Sequence, residues 1–376
     1  MKKKITKDKD IIKEIEDKLQ FEDDSNEVPP KEVFTFNELR SCSDLFRMYQ
    51  KKLLEIQPIY QRDIVWGNSD RTRFIDSLLK RLPIPSLCFS QDSNTNKMQV
   101  IDGLQRIDTI CQFFNDGSWR LSSLEDIDKR ISGKSVQEIK ESNPEVLSDI
   151  ENFALPVTLL RCDYTKTNHT EYVFTIFRRL NTGGLKLTNQ EIRNAIFSGP
   201  LNDLLKVCND TKYWKNLLRK TTGQKNKNDR FRSIETVLKF FAFYDRLSKF
   251  KSGLSNYLNE YMKDSRFLSE ENLEKKRTLF NRTVNFALSY LYARKTATKL
   301  NGATFEAVLY GIAKNIDGLE KLVSKSRQAT ITRKYKDLLK QKTFSTETLS
   351  EGLYQKQKVV ERFSLAESAF SNNERS

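Results

Sequence analysis

The spacing of apolar residues changes along this chain, and those changes predict its elements. Residues 1 to about 30 place few apolar positions among charges nearly balanced in sign and close at Pro29-Pro30. Ile11 to Leu19 have the spacing of one helix, but with little apolar surface to hold it down, residues 1–30 read as a charged mobile arm. From Val33 the period shortens. Val33-Phe34-Thr35-Phe36 predicts a short strand, and Asn37 stands where it would cap a helix turning Leu39, Leu45, Phe46 and Tyr49 toward a core. Ser69 is placed to cap a second helix, with Phe74, Ile75, Leu78 and Leu79 on one face, before Pro83 and Pro85 force the chain to extend.

Pro85 to Ser90 and Met98 to Ile101, separated by a polar loop, predict a hairpin. Asp102-Gly103 then turns the second strand directly into a helix over Leu104 to Phe114. Residues 118 to 152 are too polar to place, and Leu155 to Cys162 predicts another buried strand. Asn168 with Glu171 and Thr188 with Glu191 have capping-box spacing, and Gly183-Gly184 and Gly199-Pro200 mark the ends of the helices that follow. Beyond residue 200 only helical periodicity remains, over Ile234 to Leu247, Leu254 to Met262, Leu279 to Tyr292 and Phe305 to Ile316. The pattern predicts an α+β part over 31–200 and an all-helical part over 201–376.

Composition supports two folded parts. The chain has 376 residues, and 24 Phe and 13 Tyr supply core material despite 31% charged residues. No apolar run approaches the ~20 residues of a bilayer crossing. The start Met1-Lys2-Lys3-Lys4 leads into charge rather than an apolar signal core. Cys42, Cys88, Cys111, Cys162 and Cys208 form no Cys-x-x-Cys pair, which fits a reducing cytoplasm.

Lys and Arg outnumber Asp and Glu by 65 to 50, a net charge of +15 that favours polyanionic partners. The excess concentrates between residues 206 and 232. Lys206, Lys212, Lys215, Arg219, Lys220, Lys225, Lys227, Arg230 and Arg232 face only Asp210 and Asp229 there, with Tyr213, Trp214 and Phe231 interleaved. The segment reads either as a phosphate-backbone contact for DNA or as the solvated face of a helix pair.

Asp102-Gly103-Leu104-Gln105-Arg106 carries the most chemical information. Glycine at a strand-to-helix turn lets backbone N–H groups converge where the helix dipole is positive, and Arg106 stands in the first turn where a guanidinium would clamp a phosphate. Asp102 is placed for a metal-bound water or a ribose hydroxyl. The plainer reading makes Asp102 a cap and Arg106 half of a surface ion pair. Gln61-Arg62 precedes Trp66 and the second helix, and Arg62 stacked on that indole would explain it structurally. The stretch from Phe177 to Asn194 ends one helix in Asn181 and two glycines and starts the next at Thr188, with Glu191 in reach of a Mg²⁺ ion. A well-capped corner explains the same residues.

In this order the three stretches resemble the signature of the N-terminal domain of GmrSD-type restriction systems. They supply a Tyr-Gln-Arg-x-x-x-Trp run, a strand ending in Asp-Gly-x-Gln-Arg, and a Phe-x-x-Leu-Asn-x-Gly-Gly-x-x-Leu-x-x-x-Glu-Ile-Arg-Asn corner. The likeness covers about Val33 to Pro200 and continues weakly through Arg230 to Tyr244 and Arg362-Phe363-Ser364-Leu365-Ala366. It implies a ParB and sulfiredoxin-like fold, a small mixed sheet with helices. It also implies binding and hydrolysis of a nucleoside triphosphate with Mg²⁺ in defence against phage or foreign DNA. Gln61, Arg62, Asp102, Gly103, Gln105, Arg106 and Asn181 would bind the nucleotide, with Asp102 and Glu191 as metal ligands and catalytic groups. Leu104 departs from the pattern, which commonly has Gln there.

Relatives of this kind often carry an HNH nuclease, whose site needs several histidines. This chain has His169 alone, expected as a capped surface residue, and Gly133-Lys134-Ser135 lacks the strand and spacing of a phosphate loop. The expected function is a cytoplasmic, nucleotide-dependent sensor acting with DNA, with a partner nuclease or a second copy of the chain as further partners. The alternatives are a non-catalytic DNA- or partner-binding module on the same scaffold and, third, a metal-dependent DNase.

Overall fold

The computed structural model describes residues 2–21, 29–56, 66–180, 187–222, 230–251, 253–292, 299–324 and 328–371. Its contacts divide the chain into two units, residues 25–187 and residues 1–24 together with 188–376. Helix α1 (Lys2–Leu19) falls in the second, far in sequence from the helices it joins.

The 25–187 unit is α+β. Its order is β1 (Phe34–Ser41), α2 (Cys42–Gln50), β2 (Leu54–Glu55), α3 (Asn68–Leu79), β3 (Leu87–Asp92), β4 (Met98–Asp102), α4 (Leu104–Asn115), α5 (Val136–Ser142), α6 (Pro144–Asn152), β5 (Ala154–Cys162) and α7 (Thr167–Leu180). The strands form one five-stranded sheet in the order β1-β5-β3-β4-β2. β1 and β5 pair antiparallel, β5 and β3 parallel, β3 and β4 antiparallel, and β4 and β2 parallel, so the sheet is mixed as expected. Leu45, Ile75, Phe89, Ile107, Phe113 and Val157 belong to the core beneath it.

Several local expectations shift. Asn37 lies inside β1 opposite Thr158, and Ser41 caps α2 by accepting the Asp44 N–H at 3.1 Å. An edge strand in register with β5 over its whole length outcompetes the early helix start, and it leaves Leu39 72% exposed rather than in the core. Gly67, not Ser69, stands at the N-cap of α3, where the Asp70 carboxylate accepts the Gly67 N–H at 3.0 Å. The region left unplaced holds α5 and α6. Ser135 and Glu138, in Ser-x-x-Glu spacing, form a capping box at the start of α5.

The second unit is helical throughout its described elements. After α1 come α8 (Asn189–Ile196), α9 (Pro200–Asp210), α10 (Lys212–Thr221), α11 (Arg230–Arg246), α12 (Leu254–Asp264), α13 (Glu270–Phe286), α14 (Gly302–Lys314), α15 (Ile316–Ser324), α16 (Gln328–Leu339), α17 (Thr346–Ser350) and α18 (Lys356–Phe370). The sequence placed α8 with the sheet; the contacts place it with the helices. Every residue of α8 is buried, and Arg193 donates from Nε to Asn259 Oδ1 at 2.8 Å and from NH1 to Glu235 Oε2 at 3.0 Å. Lys239 extends this network, 3.1 Å from Glu235 Oε1 and 3.3 Å from Glu306 Oε1, and the Tyr354 hydroxyl donates to Glu306 Oε2 at 2.9 Å.

The arm expected at residues 1–30 is helical over most of its length and tied into this unit. Ile12 is fully buried, Glu16 Oε1 accepts the Ala303 N–H at 3.1 Å, and Arg232 NH2 lies 2.7 Å from Asp17 Oδ1. The Gln20 carbonyl accepts the Asn189 N–H at 2.9 Å. A short apolar face suffices because buried charge–dipole and charge–charge contacts supplement it. Among the described residues no helix is long and apolar enough to cross a membrane.

Candidate functional site

The turn from β4 into α4 is built as its residue types require. Gly103 takes φ +93°, in the left-handed region, and serves as the N-cap of α4. A Cβ there would lie 2.3 Å from Leu87 Cδ2 and 3.1 Å from Arg106 NH2, so the position excludes any side chain on two grounds. The amides of Leu104, Gln105 and Arg106 occupy the first turn, where helix geometry supplies no intrahelical acceptor.

Arg106 folds back over this turn. Its NH2 donates to Asp102 Oδ2 at 3.1 Å and to the Ser86 carbonyl at 3.4 Å, and its NH1 donates to the Pro85 carbonyl. The arginine side chain is 12% exposed and that of Asp102 is 41% exposed. Burial lowers the Arg106 pKa, opposed by the Asp102 charge, and an arginine remains cationic at any ordinary pH. The result is a mostly buried cation, already held by three acceptors, beside a helix start without a side-chain cap and a partly exposed carboxylate. Leu104 turns into the core.

Gln105 reaches across to the start of α3, where its Oε1 accepts the Trp66 N–H at 3.4 Å. The Trp66 ring packs 5.5 Å from Phe74, so the indole is a core element of the 25–187 unit. Gln61, Arg62 and Asn181 lie outside the described residues. Glu191 belongs to the helical unit. It is buried in the first turn of α8, and its Oε2 accepts the Thr188 N–H at 2.6 Å and the Thr188 hydroxyl at 2.9 Å, the capping box that the sequence expected.

Cys88 pairs with Asp102 across the hairpin, and burial with the Asp102 charge pushes its thiol up to about 12. It stays protonated and offers neither a nucleophile nor a metal ligand. All five cysteines are free and buried. Among the described residues no three His, Cys, Asp or Glu side chains gather to hold a metal ion.

His169 is 1% exposed, against the expected surface position. Its Nδ1 accepts the Asp163 N–H at 3.0 Å, and its Nε2 lies 3.6 Å from Glu32 Oε2. Its spacing within α7 gave no sign of this, because the partner that pins the ring lies before the helix.

The basic segment separates into exposed and committed residues. On α10, Lys212, Lys215 and Arg219 are exposed with Tyr213, while Trp214 is fully buried against Phe280 and Phe305. Lys215 pairs with Asp210 at 3.1 Å, Lys220 donates to the Tyr292 carbonyl at 2.8 Å, and Lys206 lies 3.0 Å from Asp203. Arg232 is taken up by Asp17. Lys225 and Lys227 lie outside the described residues, as does the side chain of Arg230.

A model of the GmrSD restriction endonuclease N-terminal domain matches residues 42–198. The match starts at the first residue of α2 and runs past the division at 187/188 to take in α8. No curated protein and no solved structure matches the chain.

Proposed function

We propose that this chain, whose residues 42–198 match the GmrSD restriction endonuclease N-terminal domain, is a restriction or defence-system component that works as a nucleotide-dependent sensor. The observation that carries this reading is the Asp102–Arg106 turn. It combines first-turn amides, a left-handed glycine that turns the strand into the helix, and a guanidinium folded back over that turn. A triphosphate would take up the amides and share Arg106 with Asp102. Asp102 presents a partly accessible carboxylate, which suits Mg²⁺ held by one carboxylate, water and the phosphates of the nucleotide itself.

Gln61, Arg62 and Asn181 join this site by resemblance. Glu191 is a weaker metal candidate than its sequence position suggested, since its carboxylate already serves the α8 cap. Hydrolysis in such a site would come from positioning and charge neutralisation. Replacing Arg106 by Ala should weaken triphosphate binding by about 2 kcal/mol, roughly thirtyfold. Calorimetric titration of each nucleoside triphosphate, with and without Mg²⁺, measures this. Equal affinities in the variant and the wild type would overturn the reading.

One observation favours a second reading, a binding module without turnover. The exposed face of α10 presents Lys212, Lys215, Arg219 and Tyr213, a surface suited to a nucleic-acid backbone. DNA affinity that falls steeply with salt and ignores nucleotide would select it.

A further inference from the structure

The two edges of the sheet differ. β2 is two residues long, whereas β1 spans eight and pairs with β5 over its whole length without a bulge. The Cys42 N–H donates to the Phe153 carbonyl at 3.0 Å, one place beyond the Ser41–Ala154 pair. Hydrogen-bonded and non-hydrogen-bonded pairs alternate along an antiparallel ladder, so Arg40, Glu38, Phe36 and Phe34 turn their backbone groups to β5. Thr35, Asn37 and Leu39 therefore turn N–H and C=O away from the sheet. All three are exposed, and among the described residues nothing bonds those backbone groups. Protein edges are ordinarily guarded by lysine, proline, a bulge or an inward charge. Phe34-Thr35-Phe36-Asn37-Glu38-Leu39-Arg40-Ser41 has no lysine, no proline and no bulge. Its only charges, Glu38 and Arg40, are bonded to each other, with Arg40 also held by Asp44, so the edge is close to neutral in a chain of net charge +15. Phe34, Phe36 and Leu39 lie exposed along it.

A neutral strand with a free ladder and apolar side chains is complementary to itself. We propose that β1 pairs antiparallel with β1 of a second copy of this chain about a twofold axis through Asn37, so that the sheet of one copy continues into the other. Outward-facing residues must meet one another, which limits the registers. Centred on Asn37, the pairing sets Thr35 opposite Leu39 of the second copy and Phe34 opposite its Arg40, whose guanidinium is attracted to the ring face. Centring on Glu38 would set two carboxylates opposite each other, and centring on Phe36 or Leu39 would shorten the overlap. One strand pair covers less than the roughly 1,200 Å² of a standard interface, so the dimer is weak and depends on concentration.

The test measures self-association of the full chain by sedimentation equilibrium at low salt, in the wild type, Asn37→Lys, Asn37→Asp and an equimolar mixture of the two variants, each with its melting temperature. Position 37 faces itself across the axis, so like charges there should weaken the homodimer about fivefold in either variant. The mixture should form a heterodimer tighter than either homodimer by at least that factor, which no effect confined to one chain can produce. If the Asn37 variants fail to fold for want of the hydrogen bond from Thr158, mixing Leu39→Lys with Thr35→Asp supplies the same comparison, because those positions face each other. A wild type that stays monomeric up to about 0.5 mM overturns the proposal. So does a dimer that both charges leave unchanged, or a mixture that associates no better than its components.

Discussion

At Gly103 two constraints coincide in one residue. A left-handed φ costs a non-glycine residue roughly 1–2 kcal/mol, and the close Leu87 methyl adds an overpacking term of about 1–3 kcal/mol. Gly103→Ala should therefore lower the unfolding free energy by about 3 kcal/mol, read from the shift of the urea midpoint; a shift under about 1 kcal/mol would contradict the geometry. Sequence alone offered Gly103 as a phosphate contact, and its packing against Leu87 was invisible because Leu87 lies on the neighbouring strand. His169 is the converse case. Burial is the largest influence on its pKa and lowers it below the ordinary 6.5. The folded state thus favours the neutral ring, whose Nδ1 accepts the Asp163 N–H. A depressed histidine pKa contributes stability that is complete above about pH 6.5 and is lost as pH falls through the folded-state value. Urea unfolding at pH 7.5 and 5.5 should show this loss in the wild type and less of it in His169→Gln, and equal losses would count against it.

Elements with strong periodicity or local punctuation were legible: the hairpin, the β4-to-α4 turn, the Thr188 cap and most helices after residue 200. Those that depend on distant partners were not. α1 was misread because its hold comes from Ala303, Arg232 and Asn189, none of which a local window contains. Its Glu16 caps the start of α14 against a glycine, where a Cβ on Gly302 would lie 2.8 Å from the carboxylate. Burial and the nearby Glu306 raise the Glu16 pKa, while Arg232 and Lys239 hold it down. Glu16→Lys would place a third cation beside those two at a cost of about 3–5 kcal/mol, more than one short helix can recover. Limited trypsin digestion should then cut within α1 much faster than in the wild type while the remaining helices stay protected, and unchanged cleavage would show that Glu16 does not hold the helix.

For the whole molecule, the α+β and all-helical division was legible from period alone, but its boundary was not. The sequence put it after the Gly199-Pro200 break, and the contacts put it at 187/188 because Arg193 is bound by Glu235 and Asn259. The Glu-Ile-Arg-Asn end of the family signature therefore serves the helical unit's core, at least through Arg193. The sheet unit is in effect a guest within a helical host that begins before it and resumes after it. α1 leaves the ribosome on the order of ten seconds or more before most of its helical partners exist. The host's two ends meet at the Gln20–Asn189 hydrogen bond of 2.9 Å, so the guest is expendable to the host's closure. Replacing residues 22–187 by a flexible link of about five residues should leave a helical protein that unfolds cooperatively by circular dichroism. A molten product would mean that the host cannot close without its guest.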